Sequence, residues 1–271
     1  MTSANTDMLY DVEDHVGTIT FNRPDQQNTI SRDMLARFGD LLLEADADED
    51  VRAIIITGTG KFFCAGLDLR GSDITDGLSD RTKRVSPTID LRNTPPTILH
   101  NIDTPTIAAL NGSAAGYGMD MALGCDMRIM ADSAKLAAAF TARGIVPESG
   151  GTWILPRLIG WAKASEIIFT GKTLSASESL DMGLVSHVVN NNEVGTEARE
   201  LAKRVASQAP MAVQASKRMM RMGMGENFDD HVHHVFLQLL PLFQSEDFKE
   251  GMASFMEKRE AQFKGRKLIQ A

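Results

Sequence analysis

The sequence predicts an α/β fold with a largely parallel sheet, and three observations predict it. Short apolar segments alternate with helical patterns through the first half of the chain. One of them, Val51–Thr57, is an apolar run with three isoleucines. The second half is mostly helical. Strands alternating with helices argue for βαβ units with right-handed crossovers. An apolar run without strict alternation fits a strand covered on both faces.

Tyr10–Val12 and Val16–Phe21 read as a hairpin around Asp14, ended by Asn22–Arg23–Pro24. Ser31 is placed to cap a helix, with Asp33 in its first turn and Met34, Leu35, Phe38, Leu41, Leu42 and Ala45 at helical spacing. The buried strand 51–57 is followed by the turn Gly58–Thr59–Gly60 and the short apolar segment Phe62–Cys64. Residues 71–90 are rich in Gly, Ser, Asp and Thr, lack periodicity, and read as an irregular loop over a site. Thr106–Leu110 is a strand, Asn111–Gly112 a turn, Ala115–Cys125 a helix and Met127–Ala131 another strand. Three short helices are expected at Trp153–Ile159, Ala162–Phe169 and Ser175–Met182, then a strand at Val185–Val189. Four more helices are expected near 192–207, 211–222, 228–244 and 246–263. Met219, Met220, Met222 and Met224 cluster near one helix end and suit a packing or partner-helix surface. No linker splits the chain. The expected division is a core over 1–195 that carries the site and a helical region over 196–271.

The 271 residues carry a formal net charge of −8, with 43% hydrophobic and 24% charged residues, the balance of an ordinary globular protein. Two cysteines, Cys64 and Cys125, are too few for a disulfide framework, which points to a reducing compartment, the cytoplasm. The first twenty residues hold no apolar stretch of the leader type, and no run approaches the roughly 18 apolar residues of a membrane span. The acidic balance argues against nucleic acid as a partner, because neutralising phosphates supplies most of that affinity. His231, His233 and His234 share one helix at a spacing that completes no metal site with a nearby cysteine, so no metal is expected.

Two segments carry chemistry. Phe62–Arg70 and Asn111–Asp120 each leave an apolar strand and enter a glycine-containing turn, and the second turn opens a helix. The first turn of a helix has backbone N–H groups without internal acceptors, and glycine lets a ligand approach the backbone closely. Two such donors aimed at one point can hold a developing negative oxygen. Taken singly, each segment also fits nothing more than a tight turn.

Together these segments resemble the crotonase (enoyl-CoA hydratase/isomerase) superfamily. Its first pattern, Phe-x-Ala-Gly-x-Asp-Leu/Ile, is matched at Phe63–Leu69. Its second, Asn-Gly-x-Ala-x-Gly-Gly-Gly, is matched at 111–118 except that Tyr117 replaces the middle glycine. Phe21–Pro24 with Asn28, Gly171–Leu174 with Ala176 and Met182–Val185, and Asp247–Gly251 with Phe255, Lys258, Arg259 and Phe263 are similar to three further family segments. The resemblance implies a crotonase-like ββα spiral with a C-terminal helical trimerisation region, assembled as a homotrimer or dimer of trimers. It implies an acyl-CoA thioester substrate, with coenzyme A part of the substrate and no separate cofactor. It places two oxyanion donors at the backbone N–H groups of Leu67 and Tyr117. Arg23, Ala65, Gly66, Asp68, Leu69, Arg70, Lys258 and Lys264 are the implied coenzyme A contacts, the basic ones for its phosphates. Gly116, Phe140 and Trp153 are expected along the acyl pocket.

The acids narrow the chemistry. Family hydratases hold a water between two glutamates. The first corresponds to Asp120, an acid one methylene shorter. The second corresponds to Phe140, which can neither position nor deprotonate water. A different acid, Glu148, follows Pro147 directly, where some enoyl-CoA isomerases of the family carry their base. The dienoyl isomerase branch has acids at the positions of both Asp120 and Glu148. Moving a double bond from the 3 to the 2 position needs a proton taken from C2 and one returned at C4, and a carboxylate can do this without a held water. Burial beside Phe140, Trp153 and Ile154 is expected to raise the Glu148 carboxyl towards neutral pH. The same acid also suits the start of a helix near Ser149.

The leading expectation is therefore an enoyl-CoA isomerase with Glu148 as base and Asp120 assisting or relaying. The alternative is a hydratase in which Asp120 and Glu148 together hold the water. A reading of a different class is a non-catalytic scaffold or RNA-binding homologue, which the net charge and the lack of a dense basic stretch oppose.

Overall fold

The computed structural model describes residues 4–68 and 94–265. Leu69, Arg70 and the 71–90 segment lie outside the described residues. From β3 to β8, consecutive strands are dealt alternately to two sheets. A six-stranded sheet has the order β1 (Met8–Glu13), β2 (Val16–Phe21), β3 (Ala53–Gly58), β5 (Thr106–Leu110), β7 (Met127–Ala131), β10 (His187–Val189). A four-stranded sheet runs β4 (Phe62–Cys64), β6 (Ser113–Ala115), β8 (Lys135–Ala137), β9 (Thr173–Ser175). Only β1·β2 and β8·β9 pair antiparallel; the other pairs are parallel. Each of β3–β4, β5–β6 and β7–β8 thus leaves the larger sheet and enters the smaller one, which is the ββα spiral the resemblance implies.

The apolar pattern explains the layering. β5 is buried along its whole length, and the first four residues of β3 are buried. The helix α1 (Ala4–Asp7) precedes β1. In α2 (Arg32–Ala47), Met34, Phe38, Leu41, Leu42 and Ala45 face inwards, and Ser31 caps the helix by accepting from the Met34 N–H. Phe21 meets Phe38 and Phe63 edge to face, with centroids 5.3 and 5.6 Å apart, the arrangement aromatic quadrupoles favour. The next helices are α3 (Pro95–Asn101), α4 (Tyr117–Gly124), α5 (Gly151–Ile159), α6 (Trp161–Thr170) and α7 (Ala176–Asp181). Helix α8 (Val194–Ala206) packs on β2, β3, β5 and β7 through a stripe of Val194, Ala198, Ala202 and Ala206. The expected division near residue 195 thus falls inside a helix that belongs to the sheet layer.

Three differences from the sequence expectation have physical causes. Ala115 ends strand β6 and the helix starts at Tyr117, because a three-residue strand is too short to show a period of two. Helix α3 opens on Pro95 and Pro96, whose fixed φ suits a first turn, in a stretch without helical periodicity. The last helix stops at Glu257 rather than near 263, since Lys258 turns left-handed with φ +56°. The chain then folds back, and the Asp247 carboxylate accepts from the N–H groups of Lys264 and Gly265 at 2.7 and 3.1 Å.

Helices α9 (Pro210–Gly223), α10 (Phe228–Phe243) and α11 (Glu246–Glu257) complete the chain. α10 has no buried residue and exposes Phe228, Val232, Phe236, Leu240 and Phe243, while Phe255 on α11 is 78% exposed. No described helix is long and apolar enough to cross a membrane.

Candidate active site

The first glycine turn is built by a strand-like stretch running beside it. Ile30 and Leu67 form a parallel bridge. Gln27 C=O accepts from Ala65 N–H (3.0 Å), Gly66 C=O from Ile30 N–H (2.9 Å) and Ile30 C=O from Asp68 N–H (3.0 Å). Parallel pairing uses the groups on either side of Leu67, so the Leu67 N–H faces away and has no acceptor among the described residues. Gly66 makes the required turn with φ +101°. Asn28, 0% exposed, ties the whole corner together. Its amide donates to the Phe62 and Thr59 carbonyls at 2.7 and 2.9 Å, and its oxygen accepts from the Arg23 N–H at 2.8 Å. The Arg23 guanidinium is engaged by Thr29 C=O at 2.8 Å and the Asp68 carboxylate at 3.1 Å, so both side chains brace this corner.

The second turn is fitted against the first. Asn111 accepts from the Gly58 N–H and donates to the Gly60 carbonyl, both at 3.1 Å. Gly116, with φ +52°, swings the chain into α4, where the first helical donor to find a partner is the Asp120 N–H, on Gly116 C=O at 3.1 Å. The Tyr117 N–H has no acceptor among the described residues. A Cβ on Gly118 would lie 2.2 Å from the Cys64 carbonyl oxygen, so only glycine lets this first turn sit on the end of β4. A Cβ on Gly66 would lie 3.6 Å from the Tyr117 nitrogen. The two unspent amides thus belong to turns in direct contact. At the far end of α4, the buried Arg128 guanidinium donates to the carbonyls of Ala122, Leu123 and Cys125, where the helix dipole favours a cation.

Asp120 lies one turn into α4, is 2% exposed, and meets the start of α5. Burial drives its carboxyl up to about 7; the Gly151 N–H, at 3.3 Å, pulls it down, the nearby Glu148 charge pushes it up, and the Ser149 amide lowers it. A Cβ on Gly151 would stand 2.2 Å from an Asp120 oxygen, so the carboxyl occupies the space that glycine leaves. Glu148 itself is exposed, not buried as expected, because the Arg143–Val146 turn before it stays at the surface. The acid that burial perturbs is Asp120. The Tyr117 phenol is held well above its ordinary range by burial and then by Glu148, Cys64 and Asp120, so its side chain shares the space with both acids.

The other expected site residues are distributed as follows. Phe140 is buried, and a Cβ on Gly116 would lie 4.0 Å from its ring. Trp153 stands 40% exposed, its ring 5.3 Å from His100 and 3.8 Å from the Arg157 guanidinium carbon. Ala65, Gly66 and Asp68 line the first turn. Lys258 is exposed at the end of α11, and the Lys264 ammonium lies 3.9 Å from Glu246. His231 and His234 share the Glu226 carboxylate, each at 3.0 Å. The sequence reading missed Ser149 and Gly151 as partners of Asp120. The glycine pair Gly150–Gly151 ahead of a helical pattern was the available signal.

The enoyl-CoA hydratase/isomerase family model matches residues 11–266. The 1,2-epoxyphenylacetyl-CoA isomerase of Escherichia coli (strain K12) is 34% identical over 263 residues, covering 96% of this chain and 98% of its own. The short-chain-enoyl-CoA hydratase of Clostridium acetobutylicum is 34% identical over 261 residues, with the same coverage, 96% and 98%. The crystal structure of an enoyl-CoA hydratase from Bacillus anthracis superposes with a TM-score of 0.86 at 32% identity, over 96% of this chain and 100% of the other. Two sheets exchanging strands, two glycine turns in contact and a match over nearly the whole chain have one reading: this chain is an enzyme of the enoyl-CoA hydratase/isomerase family.

Proposed function

We propose that the protein migrates a double bond, converting a 3-enoyl-CoA to the 2-enoyl-CoA, with Glu148 as the base. The Leu67 and Tyr117 N–H groups receive the thioester oxygen. Glu148 takes a proton from C2, and the electron pair passes into the C1–C2 bond and onto that oxygen. The dienolate is protonated at C4, leaving the double bond between C2 and C3. Asp120, half-protonated near neutral pH, is the acid that returns the proton. The observation that carries this reading is the division between the acids. One carboxyl is buried and raised to about 7, the other lies open beside it, and Phe140 stands where a second water-holding acid would be needed. The isomerase and the hydratase named above are equally similar at 34%, so the acids decide the order of preference.

The substrate reading extends to the rest of the chain. Ala65, Gly66 and Asp68 border the coenzyme A, with Arg23 bracing the turn and Lys258 and Lys264 available to phosphates; the resemblance implies the same role for Leu69 and Arg70, which lie outside the described residues. No separate cofactor or metal takes part. The exposed apolar face of α10 and α11 is larger than scattered surface residues account for and suits assembly into a trimer or dimer of trimers.

Glu148→Gln, assayed with a 3-enoyl-CoA, is expected to lower turnover by about 10²–10⁴-fold; full retained activity refutes the assignment. Hydration of crotonyl-CoA far outpacing isomerisation would instead favour the pair of acids as water holders. Coenzyme A at about 100 times its dissociation constant should stabilise the fold by about 2.7 kcal/mol, whereas a scaffold with a closed pocket would show no shift.

A further inference from the structure

The mechanism just described leaves a proton in the wrong place after each turnover: Glu148 has gained one and Asp120 has lost one. Glu148 is exposed and can exchange with water directly. Asp120 is enclosed by Gly151, the first turn of α5 and the Tyr117 side chain, and has almost no surface of its own. Ser149 is the residue tied to both acids. It follows Glu148 in the chain, and its backbone amide is directed at the Asp120 carboxyl. The residue is 3% exposed, and its hydroxyl is buried with no hydrogen-bond partner. A buried hydroxyl without a partner costs free energy, and native structures rarely leave one so unless a ligand, water or reaction uses it. A hydroxyl both donates and accepts, which a relay between an acid and a carboxylate requires. Among the described residues the other side chains with a buried polar atom lacking a hydrogen-bond partner are Tyr10 on β1, Thr18 on β2, Arg37 on α2, Arg52 just before β3 and Arg199 on α8; only Ser149 adjoins the acids.

We infer that the Ser149 hydroxyl is the proton relay that resets the two acids, accepting a proton from the Glu148 side and passing its own to Asp120. The inference rests on the proposed isomerase reading. The step is balanced: the hydroxyl gains one proton and gives up one, Glu148 returns to carboxylate, Asp120 returns to acid, and no other reactant is consumed. Because the hydroxyl is hydrogen-bonded to neither carboxyl, the relay runs through water bridging it to each of them. Ser149 acts through the two carboxyls and does not touch the reacting carbons.

The test separates the first turnover from later ones. Wild-type enzyme starts with Asp120 protonated below pH 7 and is expected to show no burst. Ser149→Ala is expected to complete its first turnover within about twofold of wild type and then run at least about tenfold slower, giving a burst of one product per site. Ser149→Thr, which keeps the hydroxyl, should restore linear kinetics. A merely structural role would slow both phases together or neither. Linear Ser149→Ala kinetics, at wild-type rate or uniformly reduced, overturn the relay while leaving the isomerase reading intact. Failure of the wild type to isomerise any 3-enoyl-CoA would remove that reading and the relay with it.

Discussion

Gly118→Ala tests whether the contact between the two turns sets the catalytic geometry. The added methyl would lie 2.2 Å from the Cys64 carbonyl oxygen and 2.8 Å from the Cys64 Cβ. Both are closer than the 3.0 Å below which real Cβ contacts essentially never fall, and the first partner is backbone. The first turn of α4 must therefore retreat from β4 by roughly 0.8 Å to reach that limit. Overpacking of this kind costs about 1–3 kcal/mol of stability, or a Tm fall of very roughly 2–4 °C per kcal/mol for a chain of this size. The functional cost is expected to be larger, because the Tyr117 N–H rides on the displaced turn. Loss of one such donor costs about 2.7–4 kcal/mol, or about 10²–10³ in kcat. The assay is kcat and KM with a 3-enoyl-CoA beside a thermal melt. A folded variant with a near-normal Tm and unchanged kcat would refute the idea that this glycine sets the alignment of the amides.

Asp120→Asn removes a carboxyl that burial raises from its ordinary 3.8 to about 7. Between those values the folded state holds a proton that the unfolded chain has released, so wild-type stability falls as pH rises through this window and is flat above it. The stability of Asp120→Asn relative to wild type should therefore grow from about pH 4 to about pH 7, by a few kcal/mol at most; a difference independent of pH in chemical denaturation would contradict this. Wild-type isomerisation should decline as pH rises through about 7, where Asp120 loses the proton it must return. Asn28→Ala strands the Thr59 and Phe62 carbonyls and the Arg23 N–H, and should cost about 2–4 kcal/mol by denaturant midpoint with a fall in kcat as the Leu67 turn loosens. Phe236→Glu on the exposed face of α10 should shift the protein to a smaller species in light scattering, and an unchanged mass would remove that face from the assembly.

Much of this arrangement was legible before any coordinates. Thr106–Leu110 and Met127–Ala131 are strands with the expected bounds because they are short, mostly apolar stretches set off by polar residues or proline on either side. The Ser31 cap was readable from residue type alone. The short strands Ser113–Ala115, Lys135–Ala137 and Thr173–Ser175 were not, since pairing with sequence-distant neighbours in the smaller sheet, and not local pattern, defines them. The glycine turns at 66 and 116 were visible as motifs, but their contact depends on Gly118 fitting over Cys64, a fact about packing. Burial falls on Asp120 and not on Glu148, where the sequence alone places it. Glu148 lies beside apolar neighbours in sequence, yet its turn stays at the surface, whereas Asp120 is marked as a site acid by its motif but owes its burial to the packing of α5 over it.

The alternation of strands between two sheets has a consequence for how this chemistry can change. Leu67, Tyr117 and the Glu148–Ser149 pair each follow a different coil: β3–β4, β5–β6 and β7–β8. Two coils supply main-chain groups that almost any side chain would leave in place. In the proposed mechanism the second coil also carries Asp120 at the start of α4, and the third supplies Glu148 after the exposed Arg143–Val146 turn. If the proposed mechanism holds, exchange of residues between Phe140 and Gly150 redirects the fate of the anionic intermediate while the two main-chain donors stay in place, so that a new activity needs edits to one turn only.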